Sequence, residues 1–280
     1  METGENKPNI FIKSKNFNTA HSEQHILSIV VSYYEFTFTI IDEKTKKHMF
    51  FKSFQFKSND RKKNIKQIKK IIESEEVLKL DYVKSYTIFK EFQSTLVPQE
   101  LYDNENKNEY YKFNFGVENN IMTDQVVSQN LIVLYSVASD LKNLLQSLLP
   151  NSIFLSQESI LIEKYPKKNT FTAHAYFSKK NLNLTVFDKD KLIFNNQFIY
   201  FNEEDILFFV LFCFEQLKIS NTDIILKLYG DISNGDSKHK ILFDYIKNVE
   251  FGKRNIKTDL SIEFNQISDH NFFELFSLDI

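Results

Sequence analysis

Apolar and polar positions along this chain fall into one order that occurs twice. Between residues 172 and 230 it reads strand, turn, strand, turn, strand, helix, strand. The β-rich runs 172–177, 182–187 and 192–198 are split by the polar turns Ser178-Lys179-Lys180-Asn181 and Asp188-Lys189-Asp190-Lys191. A helix opens at Asn202, and a fourth strand, 223–229, ends on Gly230. The same order runs from residue 26 to residue 89, opening on the β-rich run 25–31. There, 35–41 alternates Phe36 and Phe38 with Thr37 and Thr39, the period of two expected of a half-buried strand. Residues 42–47 make a charged turn, 49–56 a third strand and 82–89 a fourth. Between the last two, Asn59 or Asp60 can cap a helix in which Ile65, Ile68, Ile71 and Ile72 form a stripe opposite a basic face.

The remaining segments fill in around this repeat. Residues 1–22 read as a loose lead-in, with Ile10-Phe11-Ile12 able to add a short edge strand. Residues 92–97 form a strand ended by Pro98, followed by a helical turn at 99–102 and a polar loop at 103–109. Aromatics alternate again over 110–115, which predicts a further strand. The continuous apolar run within 130–137 predicts a buried strand. Leu141, Leu144, Leu145 and Leu148 predict a helix over 140–149, ended by Pro150. Pro150, Asn151 and Ser152 mark the preferred boundary between a domain at 1–150 and one at 151–280, with 153–163 as an extended connection.

The helix 202–217 carries Glu203, Glu204 and Asp205 in its first turn, where the helix dipole favours anions. From Ile206 to Phe214 it is apolar nearly all round, which predicts burial on more than one side. A helix at 238–247 and a strand near 258–264 follow. A last helix from 268 or 269 to 278 is expected to dock through Phe272, Phe273 and Phe276.

Composition narrows the function classes. The 280 residues are enough for one large core or two modest ones. A mean hydropathy of -0.34 is that of a soluble globular chain. The 35 basic and 37 acidic residues leave a net charge of -2, so no overall field draws in nucleic acid or an anionic membrane. With five glycines in all, loops able to close on phosphate are scarce. Heavy use of Asn, Lys, Ile and Phe is the mark of an AT-rich, bacterial coding bias. The single cysteine, Cys213, excludes an intramolecular disulfide and lies in an apolar run as a small buried hydrophobe. The N-terminus has no apolar core for a signal peptide, and the longest apolar run, 206–214, is far short of the ~20 residues that span a bilayer. The expected location is the cytoplasm, with no membrane insertion.

Three antiparallel strands, a helix and a further strand, occurring twice, is the pattern of two ribonuclease H-like domains in tandem. That arrangement, of mixed α/β class, is the actin-like ATPase fold of actin, sugar kinases and heat-shock ATPases. More specifically, the chain resembles a family of uncharacterised bacterial proteins with this fold. The segments carrying the resemblance are Ser94-Thr95-Leu96-Val97-Pro98-Gln99-Glu100-Leu101-Tyr102 and the block 209–230, especially Phe214-Glu215-Gln216-Leu217 and Leu228-Tyr229-Gly230. Leu27-Ser28-Ile29 and His270-Asn271-Phe272 also fit, and the match runs over roughly residues 20–280.

The resemblance implies a test. Working members of the superfamily hold ATP phosphates on two hairpins that each carry Asp-x-Gly. The aspartate orients metal and water, and the glycine lets backbone N–H groups close on phosphate. Aligned by strand pattern, the first hairpin reads Val31-Ser32-Tyr33-Tyr34-Glu35 and the second Ala175-Tyr176-Phe177-Ser178-Lys179. Neither holds the aspartate or the glycine, and Tyr34 puts a phenol where phosphate would sit. The glycine pair that flanks adenosine is reduced to Tyr229-Gly230-Asp231. Ser32, Tyr34, Tyr176, Ser178 and Gly230 are therefore the remnant nucleotide positions, with no catalytic residue and no cofactor assigned.

Other chemistry is not signed. An i, i+4 histidine pair binds metal only on a helix, whereas His25 opens a strand, so His21 and His25 predict no metal site. P-loop, dinucleotide, nucleophile-elbow and zinc-protease patterns are lacking. Arg61, Lys62, Lys63, Lys66, Lys69 and Lys70 make the densest basic run, which reads as a solvated helix face before it reads as an RNA contact. The expectation is a non-catalytic binding or scaffold protein with a protein partner. The alternative is a nucleotide-binding switch or weak ATPase using Ser32, Ser178 or nearby lysines.

Overall fold

The computed structural model describes residues 7–116, 120–254 and 262–278. They group into two compact units. The first runs to Ile160 and takes back residues 262–267 and 277–278; the second runs from Leu161 to Arg254 and takes in Ser268–Phe276.

In the first unit β1 (Ile10–Lys13), β2 (His25–Val31), β3 (Glu35–Asp42) and β4 (His48–Gln55) precede α1 (Arg61–Ser74) and β5 (Lys84–Phe89). Asp60 caps α1 through its side chain, which accepts the N–H groups of Lys62 and Lys63. Ile68, Ile71 and Ile72 give α1 its buried face. Then come β6 (Ser94–Pro98), α2 (Lys107–Phe115), β7 (Ile121–Val126), β8 (Leu131–Ser136), α3 (Ser139–Leu148) and β9 (Ser152–Ser156). Among the described residues the main sheet has the order β1-β4-β3-β2-β5-β9, antiparallel as far as β2 and parallel from β2 to β9. The order β6-β8-β7 makes a separate antiparallel sheet.

Helix α4 (Gln157–Lys164) carries the chain from one unit into the other. The second unit then runs β10 (Phe171–Phe177), β11 (Asn181–Asp188), β12 (Lys191–Ile199), α5 (Glu203–Gln216), β13 (Ile225–Gly230), α6 (Ser237–Tyr245), β14 (Asn248–Phe251) and α7 (Phe273–Phe276). Its sheet order, β12-β11-β10-β13-β14, repeats β4-β3-β2-β5-β9 strand for strand, with the parallel pairs in the same places. The duplication read from the sequence is therefore a duplication of topology. The first unit adds β1 on its edge and the small sheet between β5 and β9.

Period-two alternation gives the main sheet of each unit two buried faces of different character. In the second unit Ala173, Ala175, Phe177, Leu184 and Leu228 join Ile206, Val210, Cys213 and Phe214 of α5 in one apolar core. The opposite face carries His174, Tyr176, Thr185, Lys227 and Tyr229, all buried. In the first unit Phe36, Phe38 and Ile40 alternate with buried Glu35, Thr37 and Thr39. Phe264 of the returning segment lies on this polar face, its ring 6.0 Å from His48 and 6.4 Å from Phe51.

Several sequence expectations are corrected. Residues 110–115 are the end of helix α2, not a strand, and that helix begins inside the expected loop, at Lys107. The rings of Tyr111 and Phe115, one turn apart, pack with centroids 4.8 Å apart and planes at 44°, while Phe113 between them is 90% exposed. Over six residues these aromatics satisfy both periods, and packing decides. Residues 153–163 are not an extended connection. Strand β9 pairs with β5, which lies far away in sequence, and α4 follows at once. Helix α5 is buried on more than one side, as expected, with Ile206, Val210, Cys213 and Phe214 in the core and Leu207, Phe209 and Leu211 packed against it, while Phe208 and Phe212 are left 59% and 47% exposed. The expected strand near 258–264 falls partly outside the described residues, and Ile262–Gln266 is a 3-10 turn. The last helix is only Phe273–Phe276, preceded by Phe272 with φ 51°. Phe273 and Phe276 are buried, as expected.

Candidate functional site

Of the positions singled out in the sequence, Ser32 and Tyr34 sit at the β2–β3 turn of the first unit and Ser178 at the β10–β11 turn of the second, while Tyr176 lies within β10 and Gly230 ends β13. In the first unit the β2–β3 turn is closed by Ser32. Its N–H donates to the Glu35 carbonyl at 2.9 Å, and its Oγ accepts the Tyr34 N–H at 3.0 Å. A serine hydroxyl that takes the N–H two residues on holds its own turn, so Ser32, 1% exposed, has a structural task. The Tyr34 carbonyl accepts the Phe56 N–H at 2.8 Å, and the Tyr33 carbonyl accepts Nδ2 of Asn64 at 2.8 Å. The Arg61 guanidinium lies 4.7 Å from the centre of the Tyr33 ring.

Beside this turn lies a feature the sequence did not announce. Lys90, directly after β5, places Nζ 2.7 Å from Oε2 of Glu35 at the start of β3, and both residues are buried. The Thr37 hydroxyl donates to the other Glu35 oxygen at 2.7 Å and lies 2.8 Å from Ser53 Oγ. A charge at each end of a strand reads in sequence as a solvated turn. Only the parallel pairing of β2 with β5 brings the two together. A second buried carboxylate, Asp124 on β7, accepts the Ser156 N–H at 2.5 Å, the Ser159 hydroxyl at 2.7 Å and the Tyr135 hydroxyl at 3.3 Å. It caps the start of α4, and burial raises its pKa against the lowering effect of these bonds.

In the second unit the β10–β11 turn is closed by the Ser178 N–H, which donates to the Asn181 carbonyl at 2.9 Å. The Tyr200 hydroxyl donates to the Ser178 carbonyl at 2.8 Å and the Tyr200 N–H to that of Lys180 at 3.0 Å. Gly230 ends β13 opposite Phe177, with φ 77°. A Cβ there would lie 2.1 Å from the Phe177 carbonyl oxygen, so glycine is required by both conformation and space. Its N–H donates to the His270 carbonyl at 2.8 Å, and its carbonyl accepts Nδ2 of Asn271 at 2.6 Å. Lys238 Nζ donates to the carbonyl of Asp231 and lies 5.5 Å from the Phe177 ring centre.

Tyr176 points away from the turn, toward the face opposite α5. There it donates to Oε2 of buried Glu274 at 2.6 Å. The same face holds His174, stacked on Tyr165 with ring centroids 4.2 Å apart and edge-on to Phe187 at 5.7 Å. Nδ1 of His174 lies 3.3 Å from the Tyr229 hydroxyl, and Nε2 has no hydrogen-bond partner among the described residues. Burial first, then the charges of Lys227 and Lys168, push its pKa well below the ordinary histidine value. Folding therefore favours the neutral imidazole. Alternation alone could have shown that His174, Tyr176 and Tyr229 share a face, but not that α7 returns to it, with Glu274 on Tyr176 and Phe273 against Tyr229.

Away from the turns, the first unit has a hollow of about 410 Å³ lined by Lys7, Lys57 and Lys63 with Asn9, Ser58 and Gln67, and no carboxylate lines it. Among the described residues no three His, Cys, Asp or Glu side chains are grouped to hold a metal ion. No described helix is long and apolar enough to cross a membrane.

A family model described as protein of unknown function (DUF3822) matches residues 14–249. The chain belongs to that family. A comparison with curated proteins gives no match. Among solved structures, the chain is similar to a Bacteroides thetaiotaomicron protein described as having an actin-like ATPase fold and unknown function. The two are 20% identical with a TM-score of 0.75, over 86% of this chain and 96% of that one. It is also similar to a chain of the PilM–PilN type IV pilus biogenesis complex, at 9% identity and a TM-score of 0.55, over 90% of this chain and 96% of that one. This family member therefore has the actin-like ATPase fold, and the doubled sheet is its signature.

Proposed function

We propose that this protein is a binding or scaffold protein that has kept the actin-like fold without the phosphate machinery. One observation carries the reading. Both hairpin turns lack aspartate and glycine, and each is closed by its own groups: the Ser32 hydroxyl and N–H in one, the Ser178 N–H and the Tyr200 hydroxyl in the other. Backbone N–H groups spent on the turn are not available to phosphate oxygens. Gly230, the remaining nucleotide-type glycine, is explained by the Phe177 carbonyl packed against it. The working partner is then another protein, and the cytoplasm is its place of action. The similar pilus chain belongs to a complex of two proteins, which fits this reading by analogy of fold.

The second reading, a nucleotide-binding switch, draws on the three lysines around the hollow in the first unit as well as on Ser32 and Ser178. Calorimetric titration of the folded protein with ATP and ADP, each with magnesium, separates the two. The expected result is no saturable heat. Saturable binding abolished by Ser178→Asp would overturn the scaffold reading. Binding abolished instead by Lys57→Glu with Lys63→Glu would move the nucleotide to the hollow and establish the switch.

A further inference from the structure

We propose that the outer face of α5 is a docking surface for a basic amphipathic helix of a partner protein. The inference rests on the binding-protein reading and gives it a location and a partner chemistry. Ile206, Val210, Cys213 and Phe214 bury one side of α5 against the sheet. The other side is not polar, as a surface helix would have it. Phe208 and Phe212, one turn apart, are 59% and 47% exposed and stack on each other with centroids 5.5 Å apart and planes at 17°. Phe208 meets Phe209 edge-on at 5.8 Å, and Phe209 stacks on Phe198 of β12 at 4.6 Å. The stripe is thereby tied to the body of the unit. Phe201, just before the helix, is 80% exposed. Isolated exposed apolar residues are ordinary on protein surfaces, but a stacked pair on an otherwise acidic helix is a patch.

Charge decides what fits it. Helix α5 carries Glu203, Glu204, Asp205 and Glu215 and has no lysine, arginine or histidine. Glu203 accepts the Ser237 hydroxyl, and Asp205 accepts the Phe201 N–H. Glu204 and Glu215 are exposed and make no ion pair among the described residues. At about 100° per residue, Glu204, Phe208, Phe212 and Glu215 fall within an arc of about 80°, with the two acids about 16 Å apart along the axis. Lys218 lies past the end of the helix and leaves the stripe acidic.

The complementary surface is a helix with apolar residues one turn apart at its centre and Lys or Arg about three turns apart on either side. Its cations would pair with the acids and lie over the phenylalanine rings. A second copy of this chain does not fit. Two-fold pairing of the same stripe would set Glu204 against Glu215 twice, acid on acid. Phosphate backbones and anionic lipid are repelled by the same charges.

The test uses the full chain and two fluorescein-labelled synthetic helices of identical apolar spacing, one Leu/Lys and one Leu/Glu, read by fluorescence anisotropy. The Leu/Lys peptide is expected to bind saturably and to lose about tenfold or more in affinity against Phe208→Ser with Phe212→Ser. Glu204→Lys with Glu215→Lys is expected to weaken it similarly and to create binding of the Leu/Glu peptide. Those side chains are exposed, so thermal melts should match the wild type, which separates a lost surface from a lost fold. Leu/Lys binding that ignores the phenylalanine changes would be general adhesion to acid and would overturn the proposal. So would equal binding of both peptides by the wild type. A dimer in sedimentation velocity that dissociates in the phenylalanine variant would assign the face to a second copy instead. Nucleotide heat lost in Ser178→Asp would end the scaffold reading without altering any of these outcomes.

Discussion

Replacing His174 by phenylalanine tests the buried aromatic face of the second unit through its pH dependence. In the folded chain the imidazole is fully buried, stacked on Tyr165 and depressed in pKa by burial and by nearby lysine charge. In the unfolded chain it titrates near 6.5. The unfolded state therefore binds more protons than the folded state below that pH, so stability falls as the solution is acidified. The loss begins near the unfolded pKa and continues down to the depressed folded one. With the folded imidazole neutral throughout, acidification from about pH 7.5 to about pH 5.5 costs RT ln 10, about 1.4 kcal/mol, from this one residue.

His25 and His270 are also depressed by burial, partly offset by Asp42 for the first and by the Ile232 carbonyl and Asp269 for the second, and add to the wild-type loss. They are common to both proteins and cancel in the comparison. Phenylalanine keeps the stacking surface and removes the titration, at the cost of the contact with the Tyr229 hydroxyl. Urea denaturation followed by far-UV circular dichroism at both pH values gives the four free energies. If the units unfold in separate steps, the relevant step is the one that the substitution shifts. The expected outcome is a wild-type loss on acidification that exceeds the variant's, by up to about 1.4 kcal/mol. Equal losses would refute the reasoning, since they would mean that the imidazole gains its proton inside the fold as easily as outside it.

Two further outcomes follow from particular contacts. Gly230→Ala should lower stability by roughly 2–4 kcal/mol, because it combines a positive φ with a Cβ set against the Phe177 carbonyl oxygen; a cost below 1 kcal/mol by urea denaturation would mean that the β10–β13 end shifts freely. Lys90→Met should cost about 3–5 kcal/mol by leaving the Glu35 carboxylate buried without its cation, and Glu35→Gln added to it should restore much of that loss; a double-mutant cycle showing simple additivity would contradict the pairing.

Much of the frame was legible in the sequence. The strands of both sheet halves follow from period-two runs and the turns between them, and α1 and α5 from their caps and stripes. At α5, Asn202 accepts the Asp205 N–H at 2.8 Å, as its position before three acids implied. The misread segments share one cause. Strand β9 is five residues that become a strand only because β5 offers it an edge. Tyr111, Phe113 and Phe115 satisfy two periods until the small sheet takes two of the rings and leaves the third in solvent. Of the candidate positions, Ser32, Ser178 and Gly230 could be placed at turns and at a strand end from the sequence. That Tyr176 turns away toward Glu274 is a matter of which covering element reaches it.

The sequence by itself therefore determined the repeated order of strands and helices, the caps and the absence of Asp-x-Gly from both hairpins. All of these depend on residues within a few positions of one another, where hydrogen-bond reach and side-chain period are set by local geometry. Only the tertiary structure decided that Glu35 meets Lys90, that Asp124 caps α4, that α7 closes over Tyr176 and Tyr229, and that Phe208 and Phe212 are left bare. Each of these depends on which distant segment lies against a given face. Alternation and periodicity say that a face is present; the packing of remote elements says what covers it.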